Sequence, residues 1–547
     1  MTSSRLLVCL LVSGCFVSVP PLAENQGAGG NAGNGGASCT PGTFVACYEG
    51  PEGTQDVGEC RTGTAECVAD GQLASCESQI LPGIELCITE PALDEDCNGA
   101  ANDRCANWAR EYGTSGQQGI EAMNVTATGD VLVTGRNNGS IDLGGATLTT
   151  SSSNARAFVA RLDTSRMRCP DAHCWSVGFG GTGKSTTNGI VESTAGDALL
   201  VGSFTSRLDI GTVQAPSGSS TLSMFVTKLD GDNGVSQWIR HYGTDANDEE
   251  LIDVAPRPNG GVATAGFTTG TIDFQTPQGS ISAMGEDALV LTLDAAGVAQ
   301  WAHGYGGAGD DRAVRVIADA DGTLYVTGWF AEEIDFGCSS GALTTAEGPD
   351  AFVAKLDAAG QCVWSIALGG PDEQRGQALA RIDDRVLVGV NFAGTISDAD
   401  AVMLETAEDV DVLIAELDVA DGKLVTHHFF PAAGEQELWD LAPGPNGIVA
   451  AALSLRGSID FGGGPLLVPT YDVDIDDAAI LVLEADGRHR FSRSFGGVRG
   501  DDDAFSVAFD AEGRLFAAGE FDGSLDVGTG AMFSQSVDAY LLRIDDP

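Results

Sequence analysis

From residue 107 onward, an aromatic residue that opens a short strand recurs at nearly constant intervals, and this repeat constrains the fold more than any other feature. Successive markers are separated by 67, 63, 63, 63, 63 and 64 residues. Such regular spacing places insertions in loops and predicts that each interval is one structural unit, which buries its apolar face against its neighbours. The seven markers are Trp108, Trp175, Trp238, Trp301, Trp364, the degenerate His427, and Phe491.

Each interval contains four short strand segments separated by turn signals. A Gly-rich turn such as GYGGAG follows the marker, and a second strand ends at a turn such as Asp321-Gly322. A third strand such as LYVTG then leads to a corner of the type GSIDFG, as at residues 457–462. The fourth segment is the most regular and reads DAFVAKLD at residues 350–357. Four short strands per repeat are typical of a propeller blade.

The fourth segment shows the alternation of a β-strand. It places Phe352, Ala354 and Leu356 on one face and Val353 and Lys355 on the other. We therefore predict an all-β fold, a seven-bladed β-propeller of four-stranded blades preceded by a small disulfide-rich module. A solenoid is the competing architecture, and seven copies favour closure into a ring.

The repeats resemble the bacterial β-propeller repeat that carries W-x-x-x-x-G-G and D-A-F-V-A-K-L-D segments. The resemblance covers residues 107–547, and copies 5 and 6 match it least well. The resemblance implies an exported protein with the propeller fold and does not by itself imply an activity.

The positions of the first and last strands predict how the ring closes. The repeats begin with the Trp108 strand, and the chain stops just after a final DAYLLRID segment. The last copy therefore lacks its own trailing aromatic strand. We expect residues 108–112 to pair with residues 538–544, which would remove two exposed sheet edges.

The N-terminus has the pattern of an export signal. One positive charge at Arg5 precedes a short apolar run, and Val12-Ser13-Gly14-Cys15 is similar to a bacterial lipobox in which Cys15 would be lipidated. The alternative is ordinary cleavage after Ala23. We predict a signal peptide at residues 1–15, a Gly/Asn-rich tether at 16–38, a Cys-rich module at 39–106 and the propeller at 107–547.

The cysteines that follow the leader are even in number, which predicts disulfides formed in an oxidising compartment. Eight of them lie in the Cys-rich module, where about 105 connectivities are open. The other four form two local pairs. These twelve are Cys39, Cys47, Cys60, Cys67, Cys76, Cys87, Cys97 and Cys105, then Cys169 with Cys174 and Cys338 with Cys362.

The segment 47–105 resembles the Cys-rich metal-binding module found near the start of many exported proteins of gliding, predatory bacteria. The carrying motif is C-Y-x-G-P-x-G-T-x-x-V-G-x-C, and an acidic, Asn-rich run follows. Gly99 would supply the sharp turn of an EF-hand-like loop, but Cys105 stands where the bidentate Glu belongs. A disulfide-bonded module without metal is the alternative to Ca²⁺ binding. The candidate Ca²⁺ ligands are Asp94, Asp96, Asn98 and Asn102.

The net charge of −50 excludes partners that need clustered basic residues, namely nucleic acid and anionic lipid surfaces. Carboxylates recur in the Gly-rich turns, and equivalent turns of a propeller lie on one face. We expect these carboxylates to form a solvated rim or a cation-binding face. They are Asp248, Glu249, Glu250, Asp310, Asp311, Asp372, Glu373, Asp501, Asp502 and Asp503.

Catalytic motifs are absent from the sequence. The six histidines form no metal-ligand spacing, and there is no G-x-S-x-G motif. Residues 178–185 match the P-loop pattern, but TTNGIVEST after them is a poor helix, which the P-loop requires. We predict a non-enzymatic, monomeric, cell-surface or secreted binding protein, membrane-bound only through a lipid anchor. Its partner would be an extracellular protein or polysaccharide, and the alternative is a hydrolase or lyase acting on an extracellular polymer.

Overall fold

The structure is a computed structural model of the 547-residue chain, and it is almost entirely β-strand. Its strands divide between two compact units. The structure describes residues 40–48, 54–58, 60–68, 72–76, 78–80, 108–150, 154–164, 169, 172–216, 220–243, 248–345, 347–432, 434–467, 475–497, 500–528, 531–545 and 547.

The described part of the first unit contains one hairpin, Phe44–Cys47 paired with Gly63–Glu66. A disulfide joins Cys47 to Cys76, and Cys67 takes part in a disulfide as well. The predicted signal peptide and tether lie outside the described residues. No helix among the described residues is long and apolar enough to cross a membrane.

Within its described residues, the second unit contains seven antiparallel sheets with four main strands each, which we number as blades 1 to 7 along the chain. Six blades take these four strands in chain order, and blade 7 takes its outer strand from the start of the unit. The first strand of each sheet is its inner strand. The inner strands are Ser115–Val125, Ser185–Glu192, Glu250–Pro256, Arg312–Ala318, Gln374–Ile382, Gln436–Pro443 and Asp502–Phe509. The second strands are Val131–Ile141, Ala198–Phe204, Val262–Asp273, Leu324–Phe330, Arg385–Ser397, Val449–Leu455 and Leu515–Leu525.

The remaining two strands complete each blade, and the fourth is its outer strand. The third strands are Arg156–Leu162, Ser223–Leu229, Ser280–Leu293, Asp350–Leu356, Met403–Asp418, Asp477–Leu483 and Met532–Ile544. The outer strands are His173–Gly178, Ser236–Tyr242, Ala299–Tyr305, Cys362–Leu368, Leu424–Phe429, His489–Phe495 and Trp108–Tyr112.

Short strands extend the corners between second and third strands, and one more, Gly180–Gly181, follows the outer strand of blade 1 and pairs with Arg207–Ile210. One 3-10 turn, Pro445–Gly447, lies in blade 6. The short strands are Leu148–Thr149, Gly180–Gly181, Arg207–Ile210, Val213–Pro216, Glu333–Ile334, Leu343–Thr344, Ser458–Asp460 and Pro465–Leu467.

The blades form a closed ring, so the fold is a β-propeller. Each inner strand lies beside the inner strand of the next blade, and the inner strand of blade 7 lies beside that of blade 1. The predicted closure is present: Trp108 is opposite Arg543 and Tyr112 is opposite Ala539 in an antiparallel pair. Blade 7 thus takes its outer strand from the start of the unit, and Tyr112 is buried there.

Apolar clusters fill the spaces between neighbouring blades, as the strand alternation predicts. Phe352, Ala354 and Leu356 pack in one cluster with residues of blade 3, whereas Val353 packs in another with residues of blade 5. Each blade is therefore buried on both faces. Burial of this kind stabilises by about 25 cal/mol per Å² of apolar surface removed from water.

The marker tryptophans join successive blades. Trp301 Nε1 donates a hydrogen bond to Ala358 O (3.2 Å), and Trp364 Nε1 donates one to Val419 O (3.1 Å). Both acceptors lie in the turn between the third and outer strands of the next blade. Trp175 and Trp238 make the equivalent bonds. Four of the seven markers therefore pack and hydrogen-bond across a blade boundary.

The marker of blade 5 was misassigned from the sequence. The marker tryptophans stand opposite one position of the third strand, as in the pair Trp364 and Lys355. In blade 5 the residue at this position is Glu416, and Thr426 stands opposite it, whereas His427 pairs with Ala415. The prediction of His427 was wrong by one residue because a loop is shorter than constant spacing assumes.

Candidate functional site

All seven inner strands contain a β-bulge at the same position. A bulge places two residues opposite one and re-aims the side chains around it, which is why bulges often lie beside functional sites. The strands from the bulge onward line a central cavity of about 410 Å³. The bulged residues are Glu121, Asn188, Ile252, Val314, Gln377, Trp439 and Phe505.

Charged side chains meet inside this cavity. Arg315 of blade 4 crosses to blade 6, where its Nη2 donates to Trp439 O at 2.7 Å. Asp253 Oδ2 accepts from Val316 N at 2.8 Å, which links blade 3 to blade 4. Asp440 Oδ2 accepts from Ser506 Oγ at 2.9 Å and from Val507 N at 3.1 Å, which links blade 6 to blade 7.

Burial raises the pKa of Asp253 and of Asp440 above the ordinary range, and the positive charge of Arg315 opposes this rise. The two carboxylates accept hydrogen bonds from backbone N–H groups of the next blade, and the guanidinium donates to a backbone carbonyl two blades away. The cluster of Asp253, Arg315 and Asp440 therefore has a structural role, since it fixes the spacing of the inner strands. Sequence analysis missed these residues, although charged residues inside otherwise apolar strands were a usable signal.

A ring of paired positions lies on the inner strands just before the bulges at which the cavity wall begins, and we call this ring the entrance. Each pair joins the residue two before the bulge with its partner on the second strand, and these side chains differ strongly between blades. The pairs are Gly119 with Arg136, Thr186 with Ser203, Glu250 with Phe267, Arg312 with Trp329, Arg375 with Asn391, Glu437 with Ser454, and Asp503 with Glu520.

The entrance is acidic on blades 6 and 7, where Glu437, Asp503 and Glu520 lie; we call these three residues the acidic arc. Burial raises the pKa of Glu520 to about 7, opposed by Arg136, whose Nη2 donates to Glu520 Oε1 at 2.6 Å. Burial, then the charges of Asp476 and neighbouring carboxylates, raises the pKa of Glu437 and of Asp503. The charge of Asp503 contributes to the raised pKa of both Glu437 and Glu520, so ionised carboxylates of the arc repel one another. Arg136 and a hydrogen bond from Ser454 Oγ to Asp503 oppose this rise.

Arginines on blades 4 and 5 are paired within the protein. The Arg312 guanidinium lies 4.2 Å from the Phe267 ring centroid, and its Nη2 donates to Glu286 Oε1 at 2.9 Å. Arg375 lies 5.0 Å from the Trp329 ring centroid and forms an ion pair with Glu373. Because these cations are neutralised by carboxylates, the entrance retains a negative balance from the acidic arc.

The expected rim carboxylates divide into exposed and buried residues. Asp248, Asp310, Asp372, Glu373 and Asp501 are exposed at the start of the inner strands, which is one face of the ring. In contrast to the expected solvated rim, the structure buries Glu249, Asp311 and Asp502, all 0% exposed.

Two of these buried carboxylates accept hydrogen bonds from backbone N–H groups of nearby loops. Asp311 accepts from Gly307 N at 3.1 Å and from Ala331 N at 3.0 Å. Asp502 accepts from Gly497 N at 2.9 Å and from Asp522 N at 3.1 Å. Loop N–H groups inside a fold need such acceptors, which explains why these carboxylates are buried.

A second buried carboxylate faces this position at several blade junctions. A Cβ on Gly306 would collide with Asp311 and lie 2.9 Å from Asp287 Oδ1, and the charge of Asp477 acts on Asp502. Chiefly through burial, the pKa is raised to about 7 for Asp311 and about 8 for Asp502. Asp287 Oδ1 and Asp477 Oδ1 accept no hydrogen bond within the described structure. At both junctions the nearby carboxylate therefore makes ionisation of the buried one less favourable.

The predicted metal site lies wholly outside the described residues. Asp94, Asp96, Asn98 and Asn102 lie outside the described residues, as do Cys15, Cys39, Cys87, Cys97 and Cys105. Cys169 forms a disulfide with Cys174, and Cys338 forms one with Cys362. Within the described ranges, no three or more His, Cys, Asp or Glu residues are grouped so that they could hold a metal ion.

The P-loop-like segment has no phosphate-binding geometry. Gly180–Gly181 pairs with the strand Arg207–Ile210, and Ser185 opens the inner strand of blade 2. A P-loop presents its amides at the start of a helix, and here a strand follows instead.

No protein-family model and no curated protein matches this chain. Similar solved structures include quinohemoprotein alcohol dehydrogenase from Comamonas testosteroni, at 10% identity and a TM-score of 0.35, covering 82% of this chain and 77% of that one. BamB from Moraxella catarrhalis is 10% identical with a TM-score of 0.32, covering 77% of this chain and 97% of that one. Sqt1 from Chaetomium thermophilum is 13% identical with a TM-score of 0.38, covering 79% of this chain and 86% of that one.

Proposed function

We propose that this chain is an exported, non-enzymatic binding protein that uses the entrance of the central cavity to hold a positively charged extracellular protein or polysaccharide. The observation that carries the proposal is the acidic arc. Glu437, Asp503 and Glu520 repel one another in the free protein, and a cationic group placed between them would relieve this repulsion. Binding energy would therefore come from charge neutralisation at a preformed site.

The proposal is tested by binding of a lysine-rich polypeptide and of chitosan oligomers to the immobilised, disulfide-intact full chain. Glu437→Gln with Asp503→Asn should weaken binding at least tenfold, because two of three arc charges are lost. The matched control is Asp232→Asn with Asp321→Asn, which removes the same charge from exposed turns at the opposite ends of the strands. Equal weakening by both double variants would reduce the interaction to net charge and overturn the proposal.

The alternative function, a hydrolase or lyase acting on an extracellular polymer, is favoured by the meeting of Asp253, Arg315 and Asp440 in the cavity. We place it second because these groups bond to neighbouring backbone. Depolymerisation of chitosan or of a lysine-rich polypeptide by the wild type, abolished by Asp440→Asn in a folded variant, would establish the alternative. Binding without product release supports the non-enzymatic function.

Cation dependence and export belong to the same proposal. The loop with Asp94, Asp96, Asn98 and Asn102 would bind Ca²⁺ weakly, since it lacks a bidentate carboxylate. Calorimetric titration with Ca²⁺ should show saturable heat that Asp94→Ala with Asp96→Ala removes. For export, Cys15→Ala should move the protein from the membrane fraction to the soluble fraction if Cys15 carries the lipid anchor.

A further inference from the structure

The blade 5 to blade 6 boundary lacks the indole found at other boundaries. Trp175, Trp301 and Trp364 are 5%, 5% and 7% exposed, and each covers a glycine in the next blade's turn, for example Trp364 over Gly422. In blade 5 the equivalent residue is Thr426, which is exposed. A threonine is much smaller than a tryptophan, so this position leaves space that the other blades fill.

That space is a cavity of about 360 Å³. Its wall contains Thr426, Glu416, Leu483, Ala485 and Gly487, which are the residues that would surround a tryptophan at this boundary. Ala485 occupies the turn position whose carbonyl accepts the indole N–H elsewhere, as Ala358 does for Trp301. The cavity thus combines an apolar floor with a backbone acceptor at the place set by the repeat.

The remaining wall gives the cavity its charge. His428 stands over Gly487, and its Nε2 lies 2.9 Å from Glu416 Oε1. Asp383, Asp384, Glu484 and Asp486 also line the cavity. Three of these carboxylates are ion-paired: Asp384 with Arg385 at 3.0 Å, Glu484 with Arg490 at 3.1 Å and Asp486 with Arg488 at 2.7 Å. Carboxylates therefore outnumber basic groups, which favours a ligand with a positive charge beside its ring.

We propose that this cavity is a second binding site, independent of the central cavity, which takes an indole ring bearing a nearby positive charge. The ring occupies the place of the missing tryptophan, its N–H donates to Ala485 O, and the cation faces Glu416 and Asp486. Four other boundaries of the same chain hold an indole by the same kind of bond, which is the reason for choosing this ligand. The ligand is either a free indole amine or a tryptophan beside a basic residue in a polypeptide.

The test is calorimetric titration of the full chain with tryptamine, 1-methyltryptamine and an end-blocked Trp-Lys dipeptide. Saturable tryptamine binding, weakened at least fivefold by methylation of the indole nitrogen, is expected. Tighter binding of the dipeptide would identify a polypeptide ligand, and tighter binding of tryptamine would identify a free amine. Absence of saturable binding by tryptamine and by the dipeptide would overturn the proposal.

Thr426→Trp restores the repeat and should abolish tryptamine binding while raising Tm, whereas Thr426→Val keeps the space and should keep the binding. If Thr426→Trp does not fold, Glu416→Gln should weaken tryptamine binding severalfold because it removes a facing charge. Tryptamine binding unchanged in folded Thr426→Trp, or in Glu416→Gln, would contradict the site. Neither result depends on the acidic arc, so failure here and failure of the proposed function are distinguishable.

Discussion

At the scale of single residues, buried carboxylates at the blade junctions link stability to pH. The pKa is raised to about 6 for Asp350 and Asp411, about 7 for Asp311 and Asp477, and about 8 for Asp502. An unfolded chain would titrate these groups near pH 4, so between about pH 4 and about pH 8 the folded state binds more protons. Stability from these groups is therefore present at low pH and is lost as the pH rises through the folded values.

We expect Tm to be higher at about pH 5 than at about pH 8, with the decrease levelling off once the pH exceeds the raised pKa values. Differential scanning calorimetry across this range checks the direction. A Tm that rises steadily between these pH values would show that the junction carboxylates are ionised in the folded protein without cost.

A single substitution isolates one junction. Asp477→Asn removes a negative charge near Asp502 and introduces an N–H₂ group that can donate a hydrogen bond. The ionised carboxylate of Asp477 cannot donate, and its Oδ1 has no hydrogen-bond partner among the described residues. The variant should be more stable than the wild type at about pH 8 by about 1 kcal/mol, with a smaller dependence on pH. The matched control is Asp486→Asn at an exposed turn. Equal pH dependence in Asp477→Asn and the wild type would contradict an effect of the Asp477 charge on Asp502.

At the scale of strands and turns, the glycine that follows the marker strand in blades 3 and 4 has a steric role. A Cβ on Gly306 would collide with Asp311, and one on Gly369 would collide with Asp350. The Gly-rich turn motif is therefore required because the backbone packs directly on the buried carboxylate of the neighbouring strand.

We expect Gly306→Ala to lower the free energy of unfolding by about 1–3 kcal/mol, since the carboxylates cannot retreat from a buried junction. Urea denaturation measures the change. Gly178→Ala is the control, because its Cβ would meet only Leu148 at 3.6 Å. A Gly306→Ala variant as stable as Gly178→Ala would show that the carboxylates around Gly306 move aside at little cost in free energy.

The strands and their faces could be predicted from the sequence because seven copies averaged out local ambiguity. The marker of blade 5 could not, since a loop length changed while the pairing register did not. The burial of Asp311 and Asp502 was also missed, because it depends on hydrogen bonds from loop N–H groups that only the folded ring brings together. The cluster around Arg315 depends in the same way on contacts between distant blades.

At the scale of the whole molecule, the ring is held closed by a strand from the far end of the unit. Prolines at Ala109 and Arg110 together remove at least one N–H from the ladder with residues 541 and 542. We expect a lower Tm and easier proteolysis. The same pair of substitutions at Gly27 and Ala28, in the N-terminal Gly/Asn-rich tract, should leave Tm unchanged. An unaltered Tm in the first variant would mean that closure contributes little to stability.

The most direct test of the central claim, that the entrance of the ring is a cation-binding surface, is the affinity for a lysine-rich polypeptide measured as a function of ionic strength. We expect the affinity of the wild type and of the Asp232→Asn, Asp321→Asn control to fall to the same extent as the ionic strength rises. The Glu437→Gln, Asp503→Asn variant should bind weakly at every salt concentration. Identical curves for all three proteins would contradict a specific site at the acidic arc.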